Sequence, residues 1–170
     1  MSKINSRAIL VAKDVIKQIE HYSVCEGSYI NVCIPNTTYD KIKPIDLRDL
    51  IPTLKKARIC KVCALGACLI SKAKLFDNVP LEGMFKDSNI TNSKYLLCNN
   101  KIHSLLQEIF PNQQAELIEA AFERSDNYGG NNSSENIIKA VDFGNNFDFP
   151  KERLIAIMQN IIDNRGFFIP

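Results

Sequence analysis

The spacing of apolar and polar positions predicts a mainly helical chain. Apolar residues recur at intervals of three and four, as on a helix with one buried face. The predicted helices lie at about 6–22, 53–75, 100–110, 112–123, 134–141 and 150–165. Ser6, Asn112 and Ser134 are predicted N-caps, because their side chains can accept hydrogen bonds from free backbone N–H groups. Gly144 and Gly166 are predicted to follow helix ends.

Strand signals are few. Residues 28–35 are rich in β-branched and aromatic side chains and stop at a proline, which predicts one strand. The Asn- and Gly-rich residues 126–133 predict a loop. The apolar segment 167–170 is expected to pack on the domain as an extended segment, for which residues 29–34 are a candidate pairing partner, and the alternative is contact with another molecule. The chain is therefore predicted to be a single mainly α domain over 1–170, with about six helices and one or two short strands.

Composition is that of an ordinary globular domain. Of 170 residues, 45% are hydrophobic and 24% are charged, so one core can form without disulfides or metals. Charged side chains interrupt residues 1–20, which predicts no secretory signal. The longest apolar run, residues 62–70, is far shorter than the roughly 20 residues that span a bilayer. The sequence predicts a cytoplasmic protein that does not bind membranes.

Charge is distributed unevenly along the chain. Residues 1–75 contain 13 basic and 6 acidic side chains, whereas residues 76–170 contain 8 basic and 13 acidic ones. Binding of nucleic acid is disfavoured, because it needs a clustered basic face with interleaved aromatic side chains. The nearest approach to such a face is Lys55, Lys56 and Arg58, and no aromatic residue accompanies them.

Three of the six cysteines lie in residues 60–68 and allow two interpretations. Cys60 and Cys63 have the spacing of a zinc-binding pair, which Cys98 and His103 would complete. The alternative is close packing. In a helix over 53–75, small side chains would line one face, and a neighbouring helix could approach closely over them. These small residues are Ala57, Cys60, Ala64, Ala67 and Ser71.

Catalytic patterns are weak. A redox thiol pair belongs at a helix N-terminus after a strand, and the predicted helix begins well before Cys60. A cysteine enzyme would need His21 or His103 as its base. The sequence contains no phosphate-binding loop, dinucleotide fingerprint, His-Glu-x-x-His motif or calcium loop. An enzyme is therefore disfavoured.

Two segments resemble small uncharacterised proteins of bacteria and their phages. The first is residues 58–67, RICKVCALGA, and the second combines residues 143–144 with residues 153–170. The resemblance assigns no functional residue. It implies a phage or mobile-element origin, with the host cytoplasm as location, and a role in binding a host molecule.

The sequence therefore predicts a non-catalytic binding protein without a cofactor. Its expected partner is a host protein or a small nucleotide signal, as for a host-defence antagonist, and a homo-oligomer stays open. The alternatives are a zinc or thiol protein and a Cys-His enzyme. The expected contact residues lie in three groups: Tyr128, Asn131 and Asn132; Lys55, Lys56 and Arg58; and Phe167 and Phe168.

Overall fold

The computed structural model describes residues 4–27, 30–32, 60–77, 106–111, 113–125 and 134–170. This part is mainly helical, as the sequence predicts. Its α-helices are α1 (Ser6–Gln18), α2 (Ala64–Lys72), α3 (Gln114–Glu123), α4 (Glu135–Asn145) and α5 (Pro150–Asp163). Its strands are β1 (Tyr22–Val24), β2 (Ile30–Val32) and β3 (Cys60–Val62). The predicted loop 126–133 lies outside the described residues, and no described helix is long and apolar enough to cross a membrane.

Helix α1 packs one apolar face into the core. The buried side chains are Ala8, Val11, Ala12 and Val15. Asn5, and not the predicted Ser6, caps the helix, since its Oδ1 accepts a hydrogen bond from the Ala8 N–H at 3.2 Å. Its Nδ2 also donates to the Ile109 carbonyl at 2.7 Å, which joins the start of α1 to residues 106–111.

The three described strands form one sheet in the order β1-β3-β2. Strand β3 pairs in parallel with β1, with Val24 opposite Val62, and antiparallel with β2. The prediction of a helix over 53–75 is therefore wrong at residues 60–62. A short apolar run fits a strand and a helix equally well, and hydrogen bonds to two distant neighbours decide for the strand.

Helix α2 begins at Ala64 and packs against α1 and α3. Ala64, Ala67 and Ser71 are buried, which confirms the predicted close packing for these three residues. The helix continues into the π-helical turn Ala73–Asp77. There the Lys74 Nζ contacts a carboxylate oxygen of Asp14 on α1 at 2.7 Å.

Helices α3 and α4 pack closely against each other. The Ser134 Oγ caps α4 by accepting from the Ile137 N–H at 3.4 Å, as predicted. The prediction that Gly144 ends this helix is wrong, because α4 continues to Asn145. Gly144 instead allows the two helices to approach. A Cβ atom at this position would lie 1.9 Å from the Ala121 carbonyl oxygen.

Helix α5 begins at Pro150 and is followed by Gly166, which has a φ of 94°. Both features agree with the sequence prediction. The segment 167–170 packs on the helices, and only 1% of Phe168 is exposed. Its polar contacts are with Gln114 of α3 and Asn160 of α5, whereas β2 pairs with β3.

We expect Gly144→Ala to destabilise the protein by about 2 kcal/mol or more, because the added methyl group overpacks the α3–α4 contact. In an unhindered helix the same change would be stabilising. Urea denaturation measures the difference. Asn145→Ala at the neighbouring exposed position is the control, with an expected effect within about 0.5 kcal/mol. Equal stability of the two variants would contradict the packing account.

Candidate functional site

Strands β1 and β3 are parallel, so their carboxyl ends lie at the same edge of the sheet. The turn after β1 is held there by a hydrogen bond from the Cys25 N–H to the Val62 carbonyl at 3.0 Å. Cys63 follows β3 and directly precedes α2. Helix α3 packs against α2 and brings Glu119 and Glu123, one turn apart, towards Cys63. The Cys63 side chain and two carboxylates of α3 therefore lie at the carboxyl ends of this parallel strand pair, the position at which ligands commonly bind in open α/β sheets.

Glu123 is a half-buried carboxylate in this group. Its Oε2 accepts a hydrogen bond from the Gly27 N–H at 2.8 Å. Burial raises the pKa of Glu123 to about 7, and the negative charges of Glu119 and Glu26 add to this effect. The Gly27 hydrogen bond and the positive charge of Arg153 act in the opposite direction and do not cancel it. Glu123 therefore exchanges a proton near neutral pH.

Arg153 lies beside these carboxylates and is completely buried. Its guanidinium group donates to the carbonyls of Phe122 at 2.6 Å, Gly144 at 3.2 Å and Phe147 at 2.8 Å, and also to the Glu26 carboxylate. Phe122 and Gly144 lie in the last turns of α3 and α4, where a positive charge is favourable because the free carbonyls carry partial negative charge. Arg153 thus joins two helix ends to the turn that contains Glu26.

The solvent-facing side of the site is formed by Glu26 and Arg124. The Glu26 Oε1 lies 2.9 Å from a guanidinium nitrogen of Arg124, and each side chain is 36% exposed. Arg124 ends α3 with a φ of 54°, a left-handed conformation that is uncommon for a residue other than glycine. We call Glu26, Glu119 and Glu123 the carboxylate cluster. Its outer part is open to solvent and its inner part adjoins Cys63.

The thiol of Cys63 is buried beside the carboxylate cluster. Burial raises its pKa far above the ordinary value, and the charges of Glu123 and Glu119 raise it further, although the amides of Gly66 and Leu65 act in the opposite direction. Burial likewise raises the pKa of the Cys68 thiol to about 12. Both thiols are therefore protonated at neutral pH. A protonated thiol is a poor nucleophile and a poor metal ligand.

The structure corrects one reason for which the sequence disfavoured a redox thiol. Cys63 does lie between a strand and a helix N-terminus, and α2 starts only at Ala64. Its raised pKa nevertheless differs from that of reactive thiols in this position. No group of three His, Cys, Asp or Glu residues within the described ranges could hold a metal ion. Cys98 and His103, the other half of the zinc hypothesis, lie outside these ranges, whereas Cys60 lies in β3.

The residues predicted to contact a partner are mostly outside the described part. These are Lys55, Lys56, Arg58, Tyr128, Asn131 and Asn132. Phe167 is half-buried and Phe168 is buried in the core. Contact between Phe168 and a partner would therefore need a different conformation. His21, a proposed base of the Cys-His enzyme, is exposed in the 3-10 turn Ile19–His21, and His103 lies outside the described ranges.

Sequence reasoning missed the carboxylate cluster. In the helix predicted over 112–123, an apolar stripe that includes Leu117 and Ile118 places Glu119 and Glu123 on the water-facing side. In the structure, Glu119 is 2% exposed and Glu123 is half-buried. The signal was the composition of the helix, since only one narrow side, which carries Glu116, Glu119 and Glu123, is left free by its apolar residues. These apolar residues are Ala115, Leu117, Ile118, Ala120, Ala121 and Phe122.

We expect Cys63 and Cys68 of the folded protein to react with iodoacetamide at pH 8 on the order of 100-fold more slowly than in urea, because both thiols are buried and protonated. Peptide mass spectrometry over a time course measures labelling at each cysteine. The urea-unfolded chain is the reference. Labelling of native Cys63 at the rate of the unfolded chain would show that its thiol is reactive. That result would favour the alternatives of a thiol protein or a Cys-His enzyme.

We expect Glu123→Gln to stabilise the protein at pH 8 and to have little effect at pH 5. The pKa of Glu123 is about 7 in the folded state, against an ordinary value of 4.5. Folding therefore carries a penalty that is fully present above pH 7 and disappears as the pH falls towards 4.5. Because the side chain is partly exposed, screening limits the gain to about 1 kcal/mol, or roughly 2–4 °C in Tm.

Thermal denaturation at the two pH values measures this difference. Glu116→Gln is the matched control, because Glu116 lies on the same helix and is exposed. A gain for Glu123→Gln that is the same at pH 5 and pH 8 would contradict the raised pKa.

No family model matches this chain, and no curated protein and no solved structure matches it significantly.

Proposed function

We propose that this chain is a non-catalytic binding protein, and that its carboxylate cluster receives a cationic group of the partner. The observation that carries this proposal is the half-buried Glu123, whose pKa is raised to about 7. The position destabilises the folded protein whenever Glu123 is ionised. Perturbed groups of this kind occur preferentially at functional sites, where stability is given up for activity or binding.

The local charges favour a cation. Three carboxylates, Glu26, Glu119 and Glu123, face two guanidinium groups, those of Arg124 and Arg153. Arg153 also donates hydrogen bonds to main-chain carbonyls at two helix ends, which holds its charge in place. When Glu123 ionises, it adds a negative charge beside those of Glu119 and Glu26. An ammonium or guanidinium group placed beside Glu123 would neutralise this charge and lower the pKa of Glu123.

The same charges favour a protein partner over a nucleotide. Phosphate groups would be repelled by the carboxylate cluster, whereas a lysine or arginine side chain would be attracted. Glu26 and Arg124 are each 36% exposed, so a side chain can reach the cluster from solvent. We therefore infer a partner that presents a basic side chain. The phage origin and the host-defence role implied by the resemblance stay predictions.

Binding is favoured over cysteine catalysis by the state of the thiols. Cys63 lies next to the carboxylate cluster, but burial and the adjacent negative charges keep it protonated. A carboxylate pair and a protonated thiol provide hydrogen-bonding groups and charge for a ligand. They do not provide a nucleophile, because the thiolate is the reactive form.

We expect Nα-acetyl-lysinamide and Nα-acetyl-argininamide, whose side chains keep their positive charge, to bind the protein about tenfold more tightly at pH 8 than at pH 6. A cation prefers ionised Glu123, and the ionised fraction rises about tenfold between these values for a pKa of about 7. The uncharged norleucine analogue should not bind. Isothermal titration calorimetry at low salt measures the affinities, since surface charge attraction is screened at high salt.

Two variants make this measurement specific. Glu123→Gln should weaken binding and abolish the pH dependence, whereas Glu116→Gln on the exposed face of the same helix should behave as the wild type. The proposal fails if neither cationic probe binds at millimolar concentration, or if Glu123→Gln leaves affinity and pH dependence unchanged. It also fails if the protein turns over a peptide or nucleotide substrate in a manner that depends on Cys63.

A further inference from the structure

Two side-chain amides hold the main chain of the segment 167–170. The Gln114 Oε1 accepts from the Phe168 N–H at 2.6 Å, and its Nε2 donates to the Phe168 carbonyl at 3.3 Å. The Asn160 Oδ1 accepts from the Ile169 N–H at 2.9 Å, and its Nδ2 donates to the Ile169 carbonyl at 2.8 Å. We call Gln114 and Asn160 the amide clamp. It satisfies the polar main-chain groups of two consecutive residues in the way that a neighbouring β-strand would.

A further hydrogen bond orients the amide clamp, which lies beside the pocket that the Phe168 ring fills. The Asn164 Nδ2 donates to the Asn160 Oδ1 at 3.1 Å, which helps to orient the Asn160 amide. The Phe168 ring enters the core and meets Phe143 edge to face, with the ring centroids 5.2 Å apart. Ile169, the next residue, is 58% exposed. The segment is therefore recognised through its main chain and one aromatic anchor.

We propose that the amide clamp and the Phe168 pocket form a peptide-binding site that the chain's own segment 167–170 occupies in this structure. The partner is an extended segment of another protein that presents a phenylalanine. Main-chain hydrogen bonds do not depend on which chain supplies the peptide, and the pocket supplies the selectivity. This site uses residues other than the carboxylate cluster and stands independently of it.

The local backbone indicates how the segment can be displaced. It is reached through Arg165, with a φ of 59°, and Gly166, with a φ of 94°. The Arg165 carbonyl accepts from the Asn5 N–H at 2.9 Å, so residues before the segment stay attached to the start of α1. Residues 168–170 can therefore separate from the amide clamp while the preceding turn stays in place.

The intramolecular segment competes with any partner. Residues joined by a short connection bind at an effective concentration in the millimolar range. A separate peptide therefore binds the wild-type chain weakly, and weakening the native segment should reveal the site. Phe168→Ala removes the anchor and keeps the amide clamp, Gln114 and Asn160, intact.

The test is fluorescence anisotropy with a labelled Gly-Phe-Phe-Ile-Pro peptide and the full chain. We expect at least tenfold tighter binding to the Phe168→Ala variant than to the wild type. A peptide with alanine in place of its second phenylalanine should bind at least tenfold more weakly. Adding Asn160→Ala to the variant should weaken binding at least tenfold, whereas adding Gln159→Ala, at an exposed position of α5, should not change it.

A second measurement covers the case in which Phe168→Ala does not fold. Saturating peptide should accelerate amide hydrogen exchange at Phe168 and Ile169 of the wild-type chain at least tenfold, because the native segment is displaced. The proposal is overturned if a folded Phe168→Ala variant does not bind the peptide at millimolar concentration. It is also overturned if adding Asn160→Ala leaves the affinity for the peptide unchanged. Unchanged exchange in the wild type also overturns it. A wild-type dimer that Asn160→Ala dissociates would instead identify a second copy as the partner.

Discussion

The guanidinium group of Arg153 is the contact on which the described helices and the candidate site both depend. It is fully buried, and it binds carbonyls in the last turns of α3 and α4 together with the carboxylate of Glu26. Removing this side chain would leave the buried carbonyls of Phe122 and Gly144 without their guanidinium donor, and an unsatisfied buried group typically costs about 1–3 kcal/mol. The close approach at Gly144 and the position of the turn after β1 therefore share one polar connection.

This connection explains the balance of charges around Glu123. The hydrogen bonds of Arg153 are distributed over main-chain carbonyls as well as Glu26, and Arg124 pairs with Glu26 at the surface. Glu123 is stabilised mainly by the Gly27 N–H, which is a neutral donor. Burial and neighbouring charge then dominate its pKa. The site therefore combines the paired charges of Glu26, Arg124 and Arg153 with one carboxylate, Glu123, whose pKa is about 7.

How far the sequence predicts this arrangement depends on the range of the interactions. Helices α1, α4 and α5 were predictable because their periodicity and caps are local, as Ser134 and Pro150 illustrate. Strand β3 was not, because its hydrogen bonds go to residues 22–24 and 30–32, far from it in the chain. The partners of Arg153 lie up to 127 residues away in the chain. The neighbouring sequence therefore does not distinguish Arg153 from any other arginine in a first helical turn. The thiol of Cys63 was conspicuous, but its protonation follows from burial in the folded core, to which the charges of Glu123 and Glu119 add.

The two candidate binding sites lie at opposite ends of the same helix. Gln114 begins α3 and Glu123 ends it, which places their Cα atoms about 14 Å apart along the helix axis. Helix α5, which packs against α3, likewise carries Arg153 in its first turns and Asn160 two turns later. Displacing the segment 167–170 breaks contacts at Gln114 and Asn160 but none of the hydrogen bonds of Arg153. The two sites are nevertheless connected through the last turn of α4, because Phe143, which packs on Phe168, directly precedes Gly144, whose carbonyl accepts from Arg153.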